Sequence, residues 1–482
     1  MVNGQSTIFE MLYETYKIKK PIRLIEFFSG YGSQALALKY LGIKFEHWKI
    51  CEWAIKSIQA YKDIHFTDSD VELNSDRTRE DMINFLFQKG ISSNYNEPMK
   101  KEQISRFNNK TLKKIIKNIA ITNNLVNIQQ VKGIDLCITD TDKFTYLLTY
   151  SFPCQDLSLA GKGKGMSDTS TRSGMLWEVE RILVECNELG NLPEILLMEN
   201  VPQVHGIDNI EDFNKWQLKL EQLGYKNYVQ DLIATDYGIP QTRNRCFMVS
   251  ILGDYNYTFP KPIPLKLKLK DMLEDNVSDK YFLSEKMLNC FLKESQGGYP
   301  RKERFYQSLN RVNDNNISNT ITTLEGNRDI STFIKIKNAT KKGYLEATDG
   351  DGVDISSRME YHRGTVQKGK TQTITTAGGE NNGVCVLGNY MKSNYNASRV
   401  VDKEFSAPTV MENHGTITAT QTTDLRIRKL TPRECFRLMG VKDKDFDNVS
   451  KNQSDSSLYH LAGDSIVVNV LMAIFKEMII DN

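Results

Sequence analysis

A cysteine stands directly after a proline at the end of an apolar run. The run KFTYLLTYSF leads into Pro153 and Cys154, and Gln155 follows. A buried structural cysteine is expected inside such a run, whereas Cys154 stands where the strand should stop. A nucleophilic thiol needs an exposed, oriented position and either a lowered pKa or a partner acid–base group. Cys154 is therefore a candidate nucleophile, and a structural thiol is the alternative.

Three more charged residues flank apolar runs. Glu199 ends the run EILLME, and Arg243 and Arg245 belong to the pentapeptide QTRNR before CFMVSIL. A charged residue that ends a buried strand should face the same sheet edge as Cys154. The two arginines alternate by two, so their side chains point to one face of an extended strand. A structural ion pair between Glu199 and an arginine is the alternative.

A thiol, a carboxyl and guanidinium groups together suit one reaction, methylation at carbon 5 of cytosine. A thiolate that adds to carbon 6 makes carbon 5 enamine-like. A carboxyl near ring nitrogen 3 can share a proton there and offset the developing charge. The activated carbon then takes a methyl group from a sulfonium donor, and loss of the carbon-5 proton expels the thiol. A base inside a duplex must be extruded before this chemistry can reach it.

A glycine loop supplies a candidate cofactor site. The segment FFSGYGSQA places Gly30 and Gly32 between an apolar run and a helix-like stretch, and Glu52 lies about 20 residues further on. Glycines let the backbone approach a ligand, and an acid at this spacing can bind ribose hydroxyls. Trp53 could stack on an adenine, although an isolated tryptophan is more often part of a core. Nicotinamide dinucleotides, S-adenosylmethionine and a purely structural turn all fit this loop.

The composition is that of an ordinary soluble protein. The 482 residues suffice for two domains, and the net charge of +2 neither demands nor excludes a nucleic acid. We expect no membrane span and no secretory signal, because no apolar stretch is long enough. The eight cysteines are scattered without a C-x-x-C pair, which favours a reducing cytosol; with the six scattered histidines, they argue against a metal site.

The pattern of apolar runs predicts an open α/β sheet. IRLIEFF, QALALKYLG and FEHWKICEW form a β–α–β opening, which places ligands at the carboxyl ends of the strands. Residues 65–132 are polar, with helical patches, and are interpreted as an insertion. RKLTPRECFRLMG predicts a capped helix, and HLAGDSIVVNVLMAIFKEMI predicts one final helix that packs on the core of the first domain.

A second region of different composition lies before these last helices. FPKPIPLKLKLKD has three prolines and alternating lysines, as a linker would, and Thr-, Asn- and Gly-rich sequence with short β-like runs follows to about residue 425. A weak repeat within it begins at Arg311, Arg363 and Arg399. The repeat predicts either three similar β-hairpins or a surface that presents an arginine three times to a partner.

The order of these motifs resembles that of the DNA cytosine-5 methyltransferases over most of the chain. The matching segments are Pro153-Cys154-Gln155, Glu199-Asn200-Val201 and Gln241-x-Arg243-x-Arg245. The resemblance implies a Rossmann-like α/β methyltransferase sheet that uses S-adenosyl-L-methionine, with a second, smaller, β-rich target-recognition domain. The implied division is a catalytic domain over 1–260 with its insertion at about 65–132, a recognition domain over 261–425, and a C-terminal return over 426–482.

The resemblance also implies roles for individual residues. Cys154 would be the nucleophile and Glu199 the proton donor at nitrogen 3, while Arg243 and Arg245 would orient the base. The implied cofactor-binding residues are Phe28, Gly30, Gly32, Glu52, Trp53, Asp135, Pro153, Asp464 and Ser465. DNA contacts are expected at Gln155, Arg311, Arg363 and Arg399.

The implied partners follow from the same resemblance. The product would be S-adenosyl-L-homocysteine, with no metal, and the substrate would be double-stranded DNA. We expect a cytoplasmic monomer encoded by a bacterium or phage, with no membrane association. A cognate restriction endonuclease is a further expected partner.

The sequence departs from the family pattern at three positions. Glu26 stands where aspartate is usual, Ser33 replaces a common glycine, and Asp464 replaces the asparagine of a Gly-Asn-Ser motif. Three alternatives stay open: a transfer-RNA methyltransferase, which usually has a shorter insert; a dehydrogenase, which leaves Cys154 unexplained; and a non-catalytic DNA-binding protein. An exocyclic-amine methyltransferase would need a Pro-Pro dipeptide, and the chain has none.

Overall fold

A mixed β-sheet forms the centre of the protein. The computed structural model describes residues 14–67, 77–153, 174–281 and 430–479, together with short strands between 334 and 429. The central strands are β1 Ile22–Phe27, β2 Phe45–Cys51, β3 Thr145–Tyr150, β4 Ile195–Asn200, β5 Tyr225–Ile233 and β6 Asn244–Leu252. Their order is β2-β1-β3-β4-β6-β5. The first four strands are parallel, and β6 runs antiparallel to both β4 and β5.

Burial explains why the sequence predicts β1, β3 and β4. Every residue of β3 and β4 is buried, and so is nearly every residue of β1, as expected for parallel strands covered on both faces. The predicted α/β sheet is thereby confirmed. β5 was not predicted, because its middle residues are partly exposed and polar at the edge of the sheet.

Helices cover both faces of this sheet. The helices of the first half are α1 Ser33–Tyr40, α2 Ile55–His65, α3 Arg79–Lys89, α4 Lys101–Ile104, α5 Asn109–Ile121, α6 Met175–Glu188 and α7 Ile210–Gln222. On one face α6 and α7 form a core around Trp216, whose indole N–H donates to the Tyr150 hydroxyl at 3.1 Å. The opposite face is covered by α1 and the C-terminal helices.

The segment interpreted as an insertion contributes most of a third apolar cluster, which also includes Ile58 of α2. Leu86, Ile104 and Leu112, from α3, α4 and α5, are fully buried in this cluster. Thr78 begins α3 with a capping box, and the Asn108 side chain caps α5 by accepting from a backbone N–H. The helical patches predicted between 65 and 132 are confirmed.

The chain returns to the first core at its C-terminus. The returning helices are α8 Pro432–Leu438, α9 Asp443–Ser450, α10 Asp455–Asp464 and α11 Val468–Met478. The predicted cap of α8 is confirmed, since Thr431 and Glu434 form a capping box. The single final helix was a wrong prediction: α10 and α11 are separate, because the backbone is extended at Ser465 and Val467. Asp455–Met478 has the length and apolarity of a membrane span, but 78% of its most apolar window is buried inside the protein.

The region between β6 and α8 contains short strands. Residues 261–268 are exposed coil, as the linker prediction requires. The strands are β7 Ile334–Lys337, β8 Tyr344–Ala347, β9 Gly352–Asp354, β10 Val366–Gln367, β11 Asn382–Val384, β12 Gly388–Asn389, β13 Arg399–Val401, β14 Ala419–Gln421 and β15 Ile427–Lys429. They pair into three small sheets, in the orders β7-β8, β10-β9-β11 and β12-β13-β14-β15. The predicted β-rich composition is confirmed, whereas Arg311 and Arg363 lie outside the described residues.

Candidate active site

Several of the candidate residues lie at the edge where the parallel strands end. β4 ends there at Asn200, and Asn200 pairs with Cys246 of β6. Because β6 runs antiparallel to β4, the start of β6 lies at this same edge. The strand order therefore brings the ends of β1 to β4 and the QTRNR segment together.

Glu199 is a buried carboxylate with a partner on each oxygen. The residue is only 5% exposed. Its Oε1 lies 3.2 Å from Nε of Arg245, and its Oε2 accepts a hydrogen bond from the Ser151 hydroxyl at 2.5 Å. Charge-assisted bonds from two directions fix the orientation of the carboxyl group. The predicted proximity of Glu199 to an arginine of the QTRNR segment is thus present, through Arg245.

The end of β4 also holds the backbone that leads to the candidate nucleophile. The Asn200 amide donates to the carbonyl oxygen of Phe152 at 3.0 Å. Asn200 and Glu199 thereby anchor residues 151 and 152, directly before Pro153, which is half-buried. Cys154 and Gln155 lie outside the described residues. Ser151 was not predicted as a site residue, although its hydroxyl in the sequence YSFPC was a visible signal.

Arg243 has a different partner from Arg245. It is 5% exposed, and its Nη2 donates to the carbonyl oxygen of Ser465 at 2.7 Å. Gln241 makes a similar link, since its side-chain amide donates to the carbonyl oxygen of Leu438 at 2.7 Å. The residues of the QTRNR segment thus contact two different places: Arg245 contacts the buried carboxylate of Glu199, whereas Arg243 and Gln241 bond the backbone of the C-terminal return.

The glycine loop turns sharply after β1. Phe28, Gly30 and Gly32 have φ values of 56°, 54° and 84°, in the left-handed region that favours glycine. A Cβ on Gly32 would stand 2.4 Å from Nε2 of His65, so a side chain there would clash. A Cβ on Gly30 would meet no protein atom within 4 Å. The open space beside Gly30 is room in which a ligand can approach the backbone.

Glu52 lies at the end of β2, beside this loop. It is 8% exposed, and its two carboxylate oxygens accept from the backbone N–H groups of Gly30 at 3.0 Å and Ala54 at 2.8 Å. Burial raises the pKa of Glu52 to about 7, against the opposing effect of those N–H groups. Each oxygen retains acceptor capacity for a hydroxyl donor, as a cofactor ribose would supply. The loop and Glu52 therefore fit an adenosyl cofactor.

The C-terminal return closes on the same loop. The hydroxyls of Ser465 and Tyr31 are 2.7 Å apart, and the fully buried Tyr31 ring stacks on Phe436 at 5.2 Å between centroids. Asp464 is half-exposed, and its carboxylate lies 3.6 Å from Nε2 of His460. The structure thus brings Ser465 and the glycine loop together from opposite ends of the chain.

Trp53 and Asn124 connect the cofactor segment to the insertion. Trp53 is half-buried and packs against the apolar cluster of the insertion. The Asn124 side chain accepts from the backbone N–H of Glu52 at 3.1 Å and donates to its carbonyl oxygen at 2.9 Å. Asn124 was not predicted, because nothing in the local sequence indicates that it pairs with residue 52.

Asp135 is not brought to this site. Its carboxylate accepts from the backbone N–H of Lys132 at 2.8 Å, within its own turn. The next residue, Leu136, accepts from the indole N–H of Trp48, and Gly133 donates to Glu185 in the last turn of α6. Because α6 starts at the site edge and ends at the opposite edge, the exposed Asp135 stands apart from the residues around Gly30.

Glu26 of β1 contacts the start of α1, which follows the glycine loop. It is fully buried, its Oε1 accepts from the backbone N–H of Ala35 at 3.3 Å, and its Oε2 accepts from the Tyr61 hydroxyl. Burial raises its pKa to about 7. The Tyr61 hydroxyl also lies 2.9 Å from Nδ1 of His47. Glutamate is longer than the aspartate that is usual here, and the contacts of Tyr61 with Glu26 and His47 accommodate its buried carboxyl group.

Comparison with known proteins agrees with this geometry. Residues 87–480 match the family model of the C-5 cytosine-specific DNA methylases. The chain is 31% identical over 467 residues to the type II methyltransferase M2.ScrFI of Lactococcus lactis subsp. cremoris, covering 95% of this chain and 99% of the relative. It is 38% identical over 268 residues to the orphan methyltransferase M.SssI of Spiroplasma monobiae, covering 55% of this chain and 68% of the relative.

A solved structure shares the fold. The Entamoeba histolytica methyltransferase EhMeth superimposes with a TM-score of 0.50 at 14% identity, over 95% of this chain and 98% of that protein. At this identity the likeness concerns the fold alone. The family match and the long alignment with M2.ScrFI decide the identity. The chain belongs to the C-5 cytosine-specific DNA methylase family and is a DNA (cytosine-5)-methyltransferase.

Proposed function

We propose that the protein methylates carbon 5 of a flipped-out cytosine in a specific double-stranded DNA sequence, with Cys154 as nucleophile. One observation carries this proposal. The buried carboxyl of Glu199 is hydrogen-bonded to Ser151, and Asn200 to Phe152, so the end of β4 holds the segment that leads to Cys154. The described chain thus runs from Ser151, which contacts the Glu199 carboxyl, to Pro153, directly before the proposed nucleophile.

The site residues would divide the reaction as follows. The Cys154 thiolate bonds to carbon 6 of the cytosine, which directs electron density to carbon 5. Glu199 holds a proton at nitrogen 3 and offsets the charge that develops on the ring. Arg245 keeps Glu199 in position through their contact at 3.2 Å. After methylation, loss of the carbon-5 proton restores the double bond to carbon 6 and expels the thiolate.

Enzymes of this family use S-adenosyl-L-methionine, and the residues beside β1 and β2 fit it. We propose that Glu52 binds its ribose hydroxyls, that Phe28, Gly30 and Gly32 form the floor, and that Ser465 closes the site. When bound, the cofactor supplies an electrophilic methyl group and leaves as S-adenosyl-L-homocysteine. Burial raises the pKa of Glu52 to about 7. Hydrogen bonds donated by the ribose hydroxyls would lower that pKa and favour the charged form.

The biological role proposed here rests on the relatives. M2.ScrFI is named a type II methyltransferase, and M.SssI and the M.SPRI protein of Bacillus phage SPR are named orphan methyltransferases. We propose a bacterial or phage-encoded enzyme of a restriction–modification system or a mobile element. The region 261–425 would recognise the target sequence. Lysines of the exposed linker would contact phosphates, which implies binding that weakens steeply with salt.

Two experiments test this function. Bisulfite sequencing of DNA from a methylation-free host that expresses the chain reports the modified base and its sequence context. A duplex with 5-fluorocytosine in that context, supplied with S-adenosylmethionine, should then trap a covalent adduct, because fluorine at carbon 5 blocks the final elimination. Mass spectrometry should place the adduct on residue 154.

The matched variants are Cys154→Ser and Cys137→Ser, since Cys137 is an exposed cysteine outside the site. Only the first should lose both the adduct and methylation. Methylation by Cys154→Ser, or an adduct on another residue of the wild-type protein, would refute the mechanism.

A further inference from the structure

The insertion is joined directly to the strand end that bears the cofactor residues. The backbone N–H of Ser92 donates to the carbonyl oxygen of Trp53 at 2.8 Å, and the N–H of Ile55 donates to that of Ser92 at 2.9 Å. Near the end of the insertion, Asn124 bonds both backbone groups of Glu52. Residues 52–55 are therefore bonded to two separate parts of the insertion.

Between these attachments lies a short, tightly bonded loop. The Asn94 side-chain oxygen accepts from the backbone N–H groups of Asn96 at 3.0 Å and Glu97 at 3.3 Å. The Ser92 hydroxyl donates to the carbonyl oxygen of Glu97 at 2.8 Å. Tyr95 stands at the tip with a φ of 63°, a conformation that costs free energy for a non-glycine residue. The loop thus fixes the direction of one aromatic side chain.

That side chain reaches the C-terminal return. The rings of Tyr95 and His460 are 3.8 Å apart between centroids, and the Tyr95 hydroxyl is 3.5 Å from that of Ser57 on α2. His460 is 5% exposed and lies one helical turn before Asp464, whose carboxylate it faces at 3.6 Å. The insertion therefore touches α10 at the turn that delivers Ser465 to the glycine loop.

A second polar link joins the same parts of the molecule. Lys114 of α5 donates to the Asn452 side-chain oxygen at 3.0 Å, and the Asn452 amide donates to Asp63 of α2 at 2.9 Å. The segment before α10 is thus held by both the insertion and α2. Two independent attachments at this point indicate a built contact between the insertion and the C-terminal return.

We propose that the insertion is a wall of the cofactor site, in which Tyr95 and His460 are positioning residues. Through them, the insertion holds in place the turn that carries Ser465, which contacts Tyr31 of the glycine loop. The two sides of the site thereby keep their spacing around an adenosyl sulfonium ligand. His460 also lies 3.6 Å from the carboxylate of Asp464, the residue that stands where asparagine is usual. This inference rests on the proposed cofactor, and it assigns a role in cofactor binding to residues outside the family motifs.

The test measures cofactor binding without DNA. Isothermal titration calorimetry with S-adenosylhomocysteine should give Tyr95→Ala a Kd about tenfold or more above that of the wild type, while Tyr95→Phe, which keeps the ring, stays within about twofold. In methylation assays Tyr95→Ala should raise KM for S-adenosylmethionine and leave kcat nearly unchanged, as expected for lost binding rather than lost chemistry. The matched control is Phe87→Ala, because Phe87 lies on α3 of the same insertion with 47% of its surface exposed.

The outcomes separate the two proposals. A wild-type protein that binds no S-adenosylhomocysteine would refute the proposed cofactor, and this inference with it. A folded Tyr95→Ala with wild-type Kd and KM would overturn the inference alone. If Tyr95→Ala fails to fold, Asn94→Ala decides, since it loosens the loop but keeps the ring. It should weaken binding, and unchanged affinity in that variant would overturn the role of the insertion.

Discussion

Replacing Glu26 by glutamine should make the protein more stable than the wild type at neutral and mildly alkaline pH. Glu26 is fully buried under the glycine loop, and burial raises its pKa to about 7, against an ordinary value of 4.5. Glutamine preserves the shape and the hydrogen bonds. Its oxygen can accept from the Ala35 N–H and its amide can donate to the Tyr61 oxygen, leaving the Tyr61 hydrogen for Nδ1 of His47.

The magnitude follows from proton linkage. Because the folded protein holds the Glu26 proton more tightly than the unfolded chain does, this group favours folding fully below about pH 4.5. The contribution is lost as the pH rises through about 7, where the buried carboxyl must ionise. A folded pKa of about 7 against 4.5 corresponds to about 3 kcal/mol of unfolding free energy lost by the wild type. A glutamine loses nothing over this range.

Urea unfolding at a series of pH values between about 5 and about 8 measures this difference. Near pH 5 Glu26→Gln should lie within about 1 kcal/mol of the wild type, and by pH 8 it should be more stable by about 3 kcal/mol. Other groups with raised pKa values, Glu52 among them, act in both proteins and cancel in the comparison. Glu211→Gln, at an exposed carboxyl on α7, controls for the loss of a surface charge. Parallel stability curves for Glu26→Gln and the wild type would show that Glu26 is not held in its neutral form.

Two further predictions concern the loop and the paired arginines. Gly32→Ala should lose about 1–3 kcal/mol of stability in thermal unfolding, because its φ is 84° and its Cβ would stand 2.4 Å from a histidine nitrogen. Gly30→Ala, whose Cβ meets no protein atom within 4 Å, should remain more stable than Gly32→Ala yet bind S-adenosylhomocysteine weakly; equal stability losses would contradict this. Arg245→Lys should lower kcat and leave S-adenosylhomocysteine affinity unchanged. Arg243→Lys should weaken that affinity, because it removes the bond to the Ser465 carbonyl, and the reverse assignment would refute the division of roles.

The local sequence was sufficient to predict strands that are buried on both faces and a helix whose cap lies within a few residues. β1, β3 and β4 are continuous apolar runs because helices cover both of their faces. The capped helix α8 was visible because Thr431 and Glu434 bond each other's backbone groups three residues apart. β5 escaped prediction because an edge strand with exposed polar residues lacks a clear period.

Contacts between distant residues were beyond the same reasoning. Ser151 and Glu199 lie 48 residues apart, and Asn124 lies 72 residues from Glu52. These pairs are set by strand order and register, which spacing along the chain does not specify. Asp135, an acid selected by residue type, accepts a hydrogen bond within its own turn, a local contact that residue type alone does not specify.

The segment between β6 and α8 begins and ends at one place on the catalytic core. Ile251 near the end of β6 and Phe436 of α8 belong to the same apolar cluster. The backbone N–H of Glu274 donates to the Glu434 carboxylate at 2.8 Å, and the Glu274 carboxylate accepts from the Thr431 hydroxyl. The capping box that starts α8 therefore also binds the chain that leaves β6. Because both ends are bound there, substitutions in the region that we propose to recognise the DNA target need not move Ser465, Arg243 or the glycine loop.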